Sequence, residues 1–155
     1  MTVWTLVIDD EKTLAAQAAR LAPLLKSGDT VTLAGSLGAG KTTFARALIH
    51  ALSPMAGEVP SPTFTLVQVY DLPALSVWHF DLYRLEEKEA DILELGWEEA
   101  RRFGVSLVEW PDRLGSLLPK DRLEINIAFD KGSENSRVLT LIPYGSWRSR
   151  LEGMM

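Results

Sequence analysis

Gly35-Ser36-Leu37-Gly38-Ala39-Gly40-Lys41-Thr42 has the spacing G-x-x-x-x-G-K-[ST], and each residue type has a use there. Glycines let a loop wrap with its backbone N–H groups pointing inward. A helix that starts where the loop ends adds partial positive charge at the place an anion would occupy. Lys41 offers a mobile cation to the β- and γ-phosphates of a nucleoside triphosphate, and the Thr42 hydroxyl offers an oxygen to Mg²⁺. A glycine-rich turn fits this pattern by chance in on the order of 1% of chains this long. The flanks argue against chance, because a strand-like run precedes the loop and a helical pattern follows it. Gly35, Gly38, Ala39, Gly40, Lys41, Thr42 and Thr43 are therefore the expected phosphate-binding set.

Such a loop needs a carboxylate near its metal, placed at the carboxyl end of a neighbouring strand. Glu109 closes the most apolar strand-like run, and Asp81 closes the polar face of another. Spacing alone leaves open which is the metal ligand and which acts on water, and either could instead cap a helix or pair with an arginine. Ser61-Pro62-Thr63 could form a switch loop that senses the γ-phosphate, or simply a turn into a strand. The two histidines, His50 and His79, lack metal-ligand spacing. Trp110 follows Glu109 directly, where a cleft would lie.

The elements that must position these groups are legible as patterns. Trp4 to Ile8 reads as a strand. Leu14, Ala18, Leu21 and Leu25 recur at helical spacing after Asp9-Asp10, with Pro23 shortening that helix and Gly28-Asp29 ending it. Val31 to Ala34 reads as a buried strand, and Thr42 to Leu52 as a helix stopped by Ser53-Pro54. Phe64 to Tyr70 and Val77 to Tyr83 suit a hairpin, the second with Trp78, Phe80 and Leu82 on one face and His79, Asp81 and Tyr83 on the other. Glu86 to Arg102 is acidic and helical with a break at Gly96, and Glu86 to Glu99 suits a solvated helical face. Val105 to Val108 is a further buried strand. Leu123 to Phe129 and Val138 to Ile142, joined through Lys131-Gly132-Ser133, predict a C-terminal antiparallel hairpin.

Composition sets the outer bounds. The chain has 155 residues, 46% of them hydrophobic and 24% charged, which suits one domain spanning 1–155 with a sizeable core. The absence of cysteine removes disulfide frameworks, thiolate metal sites and cysteine nucleophiles. The longest charge-free run, Val59 to Tyr70, holds two prolines and is too short to span a membrane. Asp9, Asp10 and Glu11 precede any basic residue, so no signal peptide is expected. The expectation is a soluble cytosolic protein.

Four segments then occur in order: Gly35 to Phe44, Ser61-Pro62-Thr63-Phe64-Thr65-Leu66, His79-Phe80-Asp81-Leu82-Tyr83-Arg84-Leu85 and Glu109-Trp110-Pro111. With this chain length they resemble the TsaE family of bacterial ATPases. The glycine loop alone is generic, whereas the His-Phe-Asp-Leu-Tyr-Arg run and the Glu-Trp-Pro step are not. The resemblance implies an α/β, P-loop NTPase-like three-layer domain with a central mixed sheet and a C-terminal antiparallel hairpin. It implies ATP and Mg²⁺ as cofactors, with phosphates on Lys41 and the loop amides and the metal on Thr42 and Glu109. Asp81 would orient or activate the attacking water, so that Asp81, Lys41 and Glu109 form the catalytic set. Ser61 and Thr63 would lie in a switch loop, and Trp110 near the site or at a partner surface. The base would lie between the N-terminal helix and the C-terminal hairpin, where Thr13 and Lys131 are the expected contacts. Ser36 departs from the acidic residue common in relatives, with no consequence expected for phosphate.

The same resemblance implies a role in making threonylcarbamoyladenosine in tRNA, with TsaD and TsaB as protein partners and tRNA met only through their complex. TsaD would transfer the threonylcarbamoyl group, and ATP hydrolysis here, slow alone and activated by partners, would let the complex turn over. The residues by themselves leave two other readings open. One is a small-molecule P-loop kinase, although only Arg84, Arg101 and Arg102 lie between Thr63 and Glu109 to serve a lid. The other is a nucleotide-dependent binding module without turnover. No N-K-x-D or T-K-x-D box is present, so guanine selectivity has no visible source.

Lys and Arg number 16 against 21 Asp and Glu, a net charge of -5, and no basic run exceeds Arg101-Arg102. Nucleic-acid affinity rests on phosphate neutralisation by a clustered basic face. The isolated protein is therefore expected to show little binding to tRNA at physiological salt in a gel-shift titration. Submicromolar, steeply salt-dependent binding would show that Arg137, Arg148 and Arg150 gather into a patch the net charge conceals.

Overall fold

The structure is a computed structural model that describes residues 3–36, 38–54, 59, 66–85, 89–132 and 135–154. Ser61 and Thr63, the expected switch residues, lie outside the described residues, as does Leu37.

Strand β1 (Trp4–Ile8) leads to helix α1 (Glu11–Leu21). Asp10 caps α1 by accepting the Thr13 N–H at 2.7 Å, which satisfies one of the donors left open in the first turn. The Thr13 hydrogen bonds also hold the Asp10 carboxyl below the usual carboxylate range. The helical spacing that continues to Leu25 overshoots, because Pro23 lies in a 3₁₀ turn (Ala22–Leu24) that ends the helix well before Gly28-Asp29. Next come β2 (Thr30–Ala34), the glycine loop and α2 (Lys41–Leu52), followed by the hairpin of β3 (Val67–Asp71) and β4 (Ser76–Asp81). Strand β3 starts after Leu66, which takes a left-handed conformation, with Phe64 and Thr65 outside the described residues, and β4 ends where the chain turns after Asp81. Gly96 separates α3 (Glu89–Glu94) from α4 (Trp97–Phe103), as the sequence suggested. Strand β5 (Gly104–Glu109) is buried at every residue, and a 3₁₀ segment (Pro111–Leu117) follows it. The chain closes with β6 (Arg122–Phe129), β7 (Arg137–Tyr144) and α5 (Trp147–Met154).

The seven strands form one mixed sheet in the order β1-β7-β6-β2-β5-β4-β3. Its centre is parallel, with β2 flanked by β6 and β5 and with β5 beside β4. Its flanks are the antiparallel pairs β6–β7, β7–β1 and β4–β3. The expected C-terminal hairpin is thus built into the sheet, because β7 also carries β1.

Alternate residues of one strand point to opposite faces, and the core divides accordingly. Val77, Val105 and Leu107 join a large cluster with Ala18 of α1, Phe44 and Leu48 of α2 and Trp147 of α5. Trp78, Phe80 and Val108 join a smaller one with Ile92 of α3 and Trp97 of α4. Helices therefore cover both faces, giving the α/β three-layer arrangement. The face of β4 that reads as polar is not solvated. His79 and Asp81 are buried there because β4 lies inside the sheet, between β5 and β3.

Helix α5 carries no signal the sequence reading used, and an ion pair to the buried Asp29 docks it. Arg150 donates bidentately to Asp29 at 3.0 and 2.6 Å, donates to the Leu24 carbonyl, and lies over the Trp147 ring at 3.8 Å. Removing one partner of such a pair strands the other charge. Arg150→Ala is expected to lower stability by about 3 kcal/mol in urea unfolding. Because the two residues share one network, the Asp29→Ala/Arg150→Ala double variant should lose less than the sum of the single losses.

Candidate functional site

The parallel centre of the sheet brings the carboxyl ends of β2, β4 and β5 side by side. Leu33 of β2 and Asp81 of β4 both stand opposite Glu109 of β5. The glycine loop leaves β2 at this edge. Gly35 is required there because a Cβ would collide with the Ile127 carbonyl oxygen of β6. Gly40, at φ +113, takes the left-handed turn that starts α2. First-turn amides of a helix have no intrahelical acceptor, so those of Lys41, Thr42 and Thr43 are available to an anion at the loop.

A cavity of about 310 Å³ opens at this point, lined by loop residues Gly38 and Gly40, by Lys41, Thr42 and Thr43 of α2, and by Asp81, Tyr83, Glu109 and Trp110. Glu109 is only 2% exposed, and its carboxylate is held from two sides. Thr42 Oγ1 donates to it at 2.9 and 3.0 Å from its two oxygens, and His79 Nε2 lies 2.7 Å from Oε2. Asp81, also buried, accepts the Tyr83 N–H at 3.1 Å. Lys41 Nζ donates to the carbonyls of Gly35 at 2.8 Å and Ser36 at 3.0 Å and sits 4.4 Å from the centre of the Trp110 ring. Burial pushes the Lys41 ammonium below the ordinary lysine range, and the nearby charges of Glu109 and Asp81 partly oppose that shift.

Trp110 holds left-handed backbone angles, φ 60° and ψ 55°, an uncommon conformation for a bulky residue. Its ring packs on Tyr83 with centroids 4.9 Å apart. The turn after β5 thereby brings the indole over Lys41 instead of letting it continue along the strand direction.

The donor set suits Mg²⁺. A hydroxyl and a carboxylate converge within hydrogen-bond distance at a helix N-terminus, and Mg²⁺ is ordinarily held by one or two protein oxygens together with phosphate and water oxygens. Among the described residues no group of three or more His, Cys, Asp or Glu could hold a metal alone, so a closed protein cage of the zinc type is not formed by them.

A second cavity, about 350 Å³, lies on the other side of the loop. Ile8, Leu14, Ile127 and Leu139 give it apolar walls, Asp9, Asp10 and Glu11 an acidic rim, and Gly38, Ala39, Gly40 and Thr43 its loop side. Arg137 lines it too, donating to the Ala39 carbonyl at 3.1 Å and stacking on Phe129 at 4.3 Å. Thr13 sits in the first turn of α1 but is not among the lining residues. Lys131 is exposed in the turn after β6 and does not line the cavity either.

The structure thus brings Gly38, Gly40, Lys41, Thr42, Thr43, Asp81, Glu109 and Trp110 together. It adds His79, Tyr83 and Arg137, which spacing did not single out as site residues. The signal for His79 was present, because it shares a strand face with Asp81 two residues on. Arg137 had no local signal, since only the β6–β7 pairing carries it to the loop. Of the three C-terminal arginines, Arg150 and Arg137 are engaged inside the fold, and Arg148 is exposed. Among the described residues no helix is long and apolar enough to cross a membrane.

Comparison with known proteins agrees with this geometry. The family model of the threonylcarbamoyl adenosine biosynthesis protein TsaE matches residues 8–138. The tRNA threonylcarbamoyladenosine biosynthesis protein TsaE of Rickettsia felis is 37% identical over 147 residues, covering 95% of this chain and 84% of that protein. The Bacillus subtilis protein of the same name is 37% identical over 140 residues, covering 90% and 84%. The crystal structure of Bacillus subtilis YdiB superposes with a TM-score of 0.78 at 29% identity, over 99% of this chain and 94% of that one. A match of this extent, with the glycine loop, Asp81 and Glu109 converging at one sheet edge, places the chain in the TsaE family.

Proposed function

We propose that this protein binds ATP with Mg²⁺ at the glycine loop and hydrolyses it, and that this cycle supports turnover of a TsaD–TsaB complex in the making of threonylcarbamoyladenosine in tRNA. The observation that carries the reading is the single cavity where three strand ends bring together an amide cradle, Lys41, Thr42 and two buried carboxylates. Phosphoryl transfer to water asks for positioning and charge stabilisation and little else from the protein.

Each residue has a separable task. Lys41, which donates to two loop carbonyls, exchanges those acceptors for phosphate oxygens when the nucleotide enters. Thr42 and Glu109 would hold Mg²⁺, whose chemistry is to neutralise charge on the phosphate oxygens. Glu109 fits the metal role better than Asp81 because it already faces the Thr42 hydroxyl. Asp81, one strand over, faces the same cavity and is placed to orient the attacking water. The second cavity suits the base, with apolar walls for a purine ring and rim carboxylates to accept from an exocyclic amine. TsaD and TsaB would meet the open side of the site, where Tyr83 is 44% exposed and packs on Trp110.

Free phosphate released from ATP without any added hydroxyl compound, and faster with purified TsaD–TsaB, supports this reading. Transfer that needs an acceptor would make the protein a kinase, and nucleotide-dependent partner binding with no turnover even in the complex would make it a binding module. Lys41→Ala removes charge-assisted contacts worth about 1.5–3 kcal/mol each, so calorimetry should show ATP binding at least about tenfold weaker. Glu109→Ala and Asp81→Asn should differ in kind. The first should lose the benefit of Mg²⁺ to nucleotide affinity. The second should bind Mg·ATP nearly normally and turn it over about 10²–10⁴-fold more slowly. The reverse pattern would mean that the two carboxylates have exchanged roles.

A further inference from the structure

His79 lies in the middle of β4 with no exposed surface. Its register partner on β5 is Leu107, and its own strand face carries Val77 and Asp81. Packing among such neighbours would be served by an aliphatic residue. Instead an imidazole reaches along the face to the end of β5, bringing Nε2 to 2.7 Å from Glu109 Oε2. A carboxylate can only accept, so Nε2 carries the hydrogen of this bond. The other nitrogen, Nδ1, is buried with no hydrogen-bond partner among the described residues, a cost that an aliphatic residue would not incur.

These observations separate two roles for the ring. A proton relay needs an exit, and Nδ1 is shut off from solvent and has no partner among the described residues to pass a proton to. A fixed donor needs only Nε2. Thr42 approaches the same carboxylate from the α2 side, so Glu109 is gripped between the helix start and β4. The charge of Lys41 also acts on Glu109 across the cavity, and a carboxylate without its rear anchor is free to turn toward that ammonium.

We propose that His79 is a positioning residue for the metal site: its Nε2–H fixes Glu109 so that the carboxylate faces Thr42 and a Mg²⁺ bound between them. The reach matters as much as the donor. From position 79 a Ser or Asn is too short to span to the end of β5, whereas Gln places an N–H near the position of Nε2. This inference rests on the reading of Glu109 as a metal ligand.

The test is calorimetric titration of ADP, with Mg²⁺ and again in EDTA, into wild type, His79→Leu and His79→Gln. In wild type Mg²⁺ is expected to tighten ADP binding. In His79→Leu that tightening should fall by about 10–100-fold, the usual effect of removing a group that orients a metal ligand, while affinity in EDTA stays at the wild-type value. His79→Gln should recover most of it. A purely structural role would lower the two affinities together or change neither, and Gln would give no recovery specific to Mg²⁺. Tightening fully retained in His79→Leu overturns the inference and leaves the ATPase reading intact. Wild-type affinity indifferent to Mg²⁺ overturns the metal reading and this inference with it. Should His79→Leu fail to fold, nitrogen-15 NMR of the wild-type ring decides. The His79 Nε2–H resonance is expected to move when Mg²⁺ is added to the ADP complex, and one that does not move overturns the proposal.

Discussion

A carboxylate that is 2% exposed at the end of an apolar strand is tolerable only if several groups hold it. Glu109 meets that condition through the register of the parallel centre. Because β2 and β5 are adjacent and parallel, the helix leaving β2 starts beside the residue that ends β5, and Thr42 reaches Glu109. Because β4 is next in the sheet, His79 reaches it from the other flank. A slip of one residue between β2 and β5 would turn Glu109 to the opposite face and leave α2 without its partner. The geometry of the site is therefore a consequence of strand register first and of loop conformation second.

The loop adds a balance of charge. Lys41 is drawn from water into a space it shares with two carboxylates, and it satisfies its donors on the carbonyls of Gly35 and Ser36. Those carbonyls are weaker partners for an ammonium than phosphate oxygens, since a full negative charge attracts the cation more strongly than a carbonyl dipole does. The loop thus holds its cation in a state that an anion can improve upon. Trp110, turned over Lys41 by a left-handed backbone and backed by Tyr83, covers the ammonium with an aromatic face, which attracts a cation less strongly than an ionised oxygen does.

Much of this was legible in the sequence, for reasons that can be traced to particular residues. The loop announces itself because its glycines, lysine and threonine serve a local geometry, and local geometry depends on consecutive residues. Strand β5 is legible because a central parallel strand is apolar on both faces, so that Glu109 stands out at its end. The burial of the polar residues of β4 was not legible. Alternation of Trp78, Phe80 and Leu82 with His79, Asp81 and Tyr83 tells which residues share a face, yet burial is decided by what lies across the sheet, and α2 is not adjacent in sequence. Helix α5 is short and polar apart from Trp147, Leu151 and Met154, and its anchor, Asp29, is 121 residues away from Arg150. Long-range pairing of that kind leaves no periodic trace. The surroundings of Glu109 and Asp81, alike by spacing, differ once Thr42 is seen to face one of them.

The antiparallel flank shows how an element that reads as an appendage becomes part of the site. Strand β6 pairs with β2, and its Ile127 carbonyl presses on Gly35 so closely that no side chain fits. Strand β7 pairs with β6 and sends Arg137 to the Ala39 carbonyl, while β1, the next strand out, ends in Ile8 at the wall of the second cavity. The glycine loop is therefore clamped from one side by the parallel strands that bear the carboxylates and from the other by the hairpin and the N-terminal strand. The two cavities follow from that clamp. One opens toward Asp81 and Glu109, the other opens toward the start of α1, and the loop residues Gly38, Gly40 and Thr43 line both.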